Sequence, residues 1–103
     1  MTRQIIISGV LLLLGASGAF PQEAKELYLT KCAVCHGQDG AAGTSIGKKL
    51  KIRPVKEAAV KENEAAMTKI VTEGKEPDMD AFGKTLSKAQ IAAVVDYYRG
   101  LAK

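Results

Sequence analysis

The sequence predicts an all-α fold. Three observations carry that reading: apolar residues recur at helical spacing in separate stretches, helix-capping residues precede two of them, and no segment requires a β-sheet. The chain has 103 residues, enough for one domain, and shows neither an internal repeat nor a low-complexity segment.

Residues 1–19 read as a secretory leader rather than as part of the fold. Arg3 supplies the positive start, Ile5 to Leu14 is an apolar run interrupted by Ser8 and Gly9, and Ser17-Gly18-Ala19 offers small residues for cleavage before Phe20. The apolar stretch is short for a membrane span, so a retained anchor is the lesser alternative. The folded domain is then residues 20–103, a length at which one apolar core is marginal without a staple or a cofactor.

The first helix follows from Ala24, Leu27, Tyr28 and Cys32, with Pro21 and Gln22 at its start. Gly37 to Gly43 is a glycine-rich loop. Gly47 to Pro54 alternates Leu50 and Ile52 with Lys48, Lys49, Lys51 and Arg53, and reads as an extended loop in preference to a short strand. Asn63 is the expected N-cap of a second helix that turns Met67, Ile70 and Val71 inward and ends at Gly74 as a left-handed C-cap. Glu76-Pro77-Asp78-Met79-Asp80 reads as an irregular loop. Ser87 and Gln90 form a capping box for the last helix, whose apolar stripe is Ile91, Val94, Val95 and Tyr98, with Tyr97 beside it.

Both cysteines and the only histidine fall in one run, Cys32-Ala33-Val34-Cys35-His36, the spacing of a c-type haem attachment site. Two intervening residues set the sulfurs about one helical turn apart, suited to thioethers with two haem vinyl groups. His36 is then the proximal iron ligand through Nε2, leaving Nδ1–H to donate to a carbonyl. Other uses of these residues fit the sequence less well. A thioredoxin-type redox pair wants a βαβ setting, a structural zinc site wants four ligands, and a plain disulfide would leave the histidine a coincidence. Export agrees with covalent haem, because unpaired thiols outside the cytoplasm would otherwise be oxidised.

The formal net charge of +4 is dispersed and lacks interleaved aromatics, which excludes a nucleic-acid footprint. The basic residues suggest instead a docking surface for acidic protein partners. For a second axial ligand the residues leave Met67, Met79 or a lysine. Met67 shares the spacing of Ile70 and Val71 and reads as core, whereas Met79 sits in a Pro-containing loop between acids, as a ligand or as a solvent-facing side chain.

Three blocks resemble the class I c-type cytochromes, the small bacterial monohaem proteins in particular: Tyr28 to Gly40 around CAVCHG, Gly74 to Leu86 (GKEPDMDAFGKTL), and Ile91 to Leu101. The resemblance implies the cytochrome c fold, three to four short helices around one covalent haem. It places the distal methionine on Met79, with Phe82, Gly83, Leu86 and Ser87 matching around it. Asp80 departs from the family's usual proline. The family packs its first helix on its last through a glycine and two aromatics, here Ala24, Tyr28 and Tyr97. Its usual proline carbonyl for the histidine has only Pro54 as a remote counterpart.

The implied function is that of a soluble, exported, periplasmic monohaem carrier, not an enzyme. It would pass single electrons between a donor and an acceptor in membrane complexes or periplasmic oxidoreductases of a respiratory chain. A monomer is expected. Leu27, Ile70, Phe82 and Val95 should bury the haem, and Lys48, Lys49, Lys51 and Lys84 should surround its edge. A gas sensor or peroxidase would require Met79 to leave the iron, and a haem-bearing subunit of a membrane complex would require a retained N-terminal helix.

Overall fold

The computed structural model describes residues 20–103, so the expected leader lies outside the described residues. Among the described residues six helices appear: α1 Pro21–Lys31, α2 Ala33–His36, α3 Ser45–Lys49, α4 Val55–Lys61, α5 Glu64–Glu73 and α6 Lys88–Gly100. The β structure described is a single isolated bridge between Lys75 and Met79.

Proline at the first position of α1 presets φ and removes an N–H that would have no helical acceptor. The helix buries Ala24 and Tyr28, and Cys32 alone separates it from α2, which ends at Gly37 with φ +86°. Asn63 caps α5 as its sequence predicts, its Oδ1 accepting from Ala66 N at 2.8 Å. The Ser87–Gln90 capping box at α6 is complete, with reciprocal bonds of 3.1 and 2.8 Å.

Residues 47–54 depart from the expected extended loop. Thr44 caps a short helix instead, its Oγ1 accepting from Gly47 N at 2.9 Å, and Lys51 at φ +57° turns the chain so that Ile52 N reaches Gly47 O at 3.0 Å. Leu50 and Ile52 therefore arrive on a turn, not on a strand. Helix α4 was not anticipated at all. It starts from Pro54, whose backbone is extended and whose carbonyl accepts the first bonds of the helix, and it buries only Val55 and Ala58.

α6 packs against both α1 and α5. Ile91, Val94 and Val95 are at most 3% exposed, and burial of each such side chain is worth ~1.5–3 kcal/mol. Met67, Leu86 and Ala58 complete this core, with Leu27, Val71, Phe82 and Tyr98 packed at its margin. At the α1–α6 crossing, Ala24 is 2% exposed and the Tyr28 and Tyr97 rings lie 5.3 Å apart between centroids. Arg99 on α6 ties down the junction of α4 and α5 by donating from Nη1 to Glu62 O at 2.8 Å.

Candidate functional site

The helices enclose a cleft of about 500 Å³, a size usual for cofactor sites. Cys32, Cys35 and His36 line one wall, Met79 lines another, and α5 and α6 supply apolar lining from Ile70, Val71, Val94 and Val95. Leu50, Ile52 and Phe82 add to it. The structure thus brings all four sequence-predicted site residues to one cavity.

The cysteine wall is fastened from several directions. Tyr28 Oη donates to Gly37 O at 2.6 Å in a buried bond, Thr44 Oγ1 donates to Cys35 O at 3.1 Å, and Ala42 N donates to His36 O at 2.8 Å. Gly47 backs this wall so closely that a Cβ there would meet Ala42 O at 2.5 Å and Cys35 O at 2.6 Å. Only glycine allows that approach.

Both thiols are free. Burial, reinforced by Cys35 and opposed by Lys31, pushes the Cys32 thiol up to about 11, so it rests protonated. Burial lowers the pKa of His36 and keeps the imidazole neutral, the form a metal ligand needs. The Tyr98 ring meets the imidazole edge-on, centroids 5.3 Å apart. Burial and Glu62 raise the Tyr98 hydroxyl to about 12, and burial raises that of Tyr28 further still.

The expected acceptor for His36 Nδ1 is absent: this atom is buried with no hydrogen-bond partner among the described residues. The Pro54 carbonyl accepts instead from Glu57 N and Ala58 N, both at 3.0 Å, because it begins α4. A buried polar atom without a partner costs ~1–3 kcal/mol, and iron bound through Nε2 would leave this one as it is. Two free thiols, a neutral buried imidazole and an apolar lining fit covalent haem. Among the described residues no cluster of three or more His, Cys, Asp or Glu side chains could hold a metal ion, so a zinc site finds no support.

Met79 reaches the cleft on a tight loop. Lys75 N donates to Met79 O at 2.9 Å and Met79 N to Lys75 O at 2.8 Å, around a cis Glu76–Pro77 bond. Gly74 makes the loop possible. Its φ is +77° as expected, but its ψ of 178° is not that of a left-handed C-cap, and a Cβ would meet Met79 O and Ala81 N at 2.8 Å. Met67 also lines the cleft, yet it is 5% exposed and its Sδ accepts from Arg99 Nη1 at 3.5 Å. The role of Arg99 was missed, since nothing in a lone arginine near a C-terminus signals a partner.

Two expectations about the surroundings need correction. Leu27 packs against the core and does not line the cleft. Of the four lysines expected at the edge, Lys51 lines the cleft while Lys48, Lys49 and Lys84 do not; Lys31, Arg53 and Lys75 stand there instead. Lys48 and Lys49 are exposed in the last turn of α3.

Comparison with known proteins identifies the family and the cofactor class. The family model described as cytochrome c oxidase, cbb3-type, subunit III matches residues 19–97. The solved structure of the KustC0563 c-type cytochrome is similar with a TM-score of 0.71 and 30% sequence identity, covering 78% of this chain and 98% of that one. A tyrosine-to-phenylalanine mutant of Kustc0563 is similar with a TM-score of 0.69 and 28% identity, over 77% and 98% of the two chains. No curated protein matches the sequence significantly. The chain belongs to the cbb3-type subunit III cytochrome c family and is a small all-α c-type cytochrome, an electron-transfer protein with covalently bound haem c.

Proposed function

We propose that this cytochrome is an exported, periplasmic, monohaem carrier of single electrons, with Cys32 and Cys35 as thioether anchors, His36 as proximal iron ligand and Met79 as distal ligand. The observation that carries the reading is the convergence of both cysteines, the only histidine and the loop methionine on one apolar cleft. Haem c bound there supplies a one-electron Fe(III)/Fe(II) couple.

The residues of the chain determine how that couple behaves. If His36 and Met79 both held the iron, no position would be left open for a substrate, which favours electron transfer over catalysis. A thioether ligand and an apolar lining both favour the less charged reduced state and raise the potential. Ile70, Val71, Phe82 and Val95 keep water from the cleft, which limits solvent reorganisation when the charge changes. Redox proteins are the partners in general terms, and the donor and acceptor belong to membrane complexes or periplasmic oxidoreductases. Among the described residues no helix is long and apolar enough to cross a membrane. A leader at residues 1–19, removed on export, accounts for the remainder of the chain, and the mass of the exported protein checks that cleavage.

The absorption spectrum of the oxidised, haem-loaded protein tests the ligand set. A weak far-red band is expected from iron–thioether ligation, together with a reversible one-electron titration. A high-spin spectrum without the band would overturn the carrier reading in favour of an open site for a gas or peroxide.

A further inference from the structure

Apart from the half-buried Glu62 at the end of α4, the charged residues that line the cleft divide largely by sign between its walls. On the side built from the cysteine helices and the turn after α3 stand Lys31, Lys51 and Arg53, all exposed. On the side built by the loop after α5 stand Glu76, Asp78 and Asp80, also exposed, with Lys75 as the one opposing charge. Lys48 and Lys49 extend the basic side beyond the cleft, and the pairing of Arg53 with Glu57 at 3.4 Å is a half-exposed contact of small worth. Val34, 59% exposed, puts an apolar side chain at the same opening.

We propose that this two-signed rim is a docking surface for a second copy of the same chain, through which one electron passes from a reduced copy to an oxidised one. The inference rests on the carrier reading above. A two-fold axis through the cleft opening sets the basic lip of each copy against the acidic lip of the other, so one patch is its own complement. A partner with a uniformly acidic face, the kind suggested by the net charge, would be repelled by Glu76, Asp78 and Asp80. A copy of this chain is repelled by neither lip. The exchange balances without any other reactant: the donor copy loses one electron, the acceptor copy gains it, and no bond or proton changes.

The consequence has a sign. Two copies of a net-positive protein that meet without orientation repel, and added salt would screen the repulsion and speed their encounter. Lips that pair across a two-fold axis attract, and salt then slows it. Electron self-exchange can be followed by NMR line broadening in mixtures of oxidised and reduced haem-loaded protein between 10 and 300 mM salt. The expected result is a rate that falls about fivefold over that range.

Two charge-reversed forms complete the test. Glu76→Lys with Asp78→Lys makes both lips basic, and Lys51→Glu with Arg53→Glu makes both acidic. Each form alone should exchange about tenfold more slowly than the parent at low salt, while exchange between the two forms should exceed either alone. A parent rate that rises with salt, or a mixed rate no faster than the separate ones, overturns the proposal and reassigns the rim to a different protein partner. The far-red band and the reversible titration of each form report on the carrier reading independently. Their loss in the parent would count against that reading, whereas their retention with the wrong salt sign counts only against self-docking.

Discussion

The two walls of the cleft are built by opposite means. The cysteine wall is helical, crossed by the Tyr28–Gly37 and Thr44–Cys35 bonds, and backed by Gly47 at contact distance. The methionine wall is a hairpin-like loop held to itself through Lys75 and Met79 and to α5 by Phe82 N on Val71 O at 2.9 Å and Gly83 N on Thr72 O at 3.0 Å. Most of its side chains are exposed. One wall is fixed by tertiary packing, and the other by a few local backbone bonds. Perturbations of the first should therefore act on the whole fold, and perturbations of the second on the distal ligand alone.

The largest effect is expected where the cysteine wall loses its cofactor. Cys32→Ala with Cys35→Ala, expressed without haem, leaves the apolar lining of Ile70, Phe82 and Val95 open to water in a domain of marginal size. Circular dichroism should show reduced helicity and no cooperative melt, the behaviour of small domains whose folding is tied to a bound group. Full native helicity with a sharp transition would mean that the helices close on themselves without help.

Next in size are the two glycines that back the walls. Gly47→Ala forces a Cβ into two backbone carbonyls and should cost ~3 kcal/mol or more of global stability, read by denaturant unfolding of the haem-loaded protein. Gly74→Ala meets backbone at 2.8 Å and at a positive φ, and the strain of ~1–3 kcal/mol should fall mainly on the Met79 loop. Its far-red band should weaken before its unfolding midpoint moves by as much as that of Gly47→Ala. The reverse ranking would erase the contrast between rigid and soft walls.

The methionines sharpen the same contrast at a single atom. Met79→Ala should abolish the far-red band, while Met67→Leu should keep it at a packing cost of ~1 kcal/mol or less. The contact from Arg99 fits this assignment, since it engages the Met67 sulfur from the side of α6. Survival of the band in Met79→Ala together with its loss in Met67→Leu would exchange the two roles.

The contrast also explains what could be read from the chain. α1, α5 and α6 were legible because each carries an apolar stripe or a cap that depends on near neighbours in sequence: Pro21 for α1, Asn63 for α5, Ser87 with Gln90 for α6. Helices α3 and α4 were not. They are short, Gly47 interrupts one of them, and their positions depend on distant contacts such as Val55 N on Gly40 O at 2.8 Å. The motif placed the cysteines and histidine from spacing alone. The charges around the cleft, the orphaned His36 Nδ1 and the Arg99 contacts arise from packing between elements remote in sequence, for which no local pattern exists.

The smallest effect concerns Asp80, where the family's usual residue is proline. Among the described residues its backbone N–H donates to no backbone carbonyl, so a proline there would remove no hydrogen bond of the loop. Where the native geometry accepts it, proline lowers the entropy of the unfolded chain and stabilises by ~0.4–1 kcal/mol. Asp80 is exposed at the cleft, and removing its carboxylate also removes a negative charge that favours the oxidised, more positive state. The potential should therefore rise, and imidazole or cyanide should displace the distal ligand less readily in Asp80→Pro than in the parent. Equal or easier displacement would show that the softness of this wall resides in its few backbone bonds and in Gly74, and not in the residue that follows Met79.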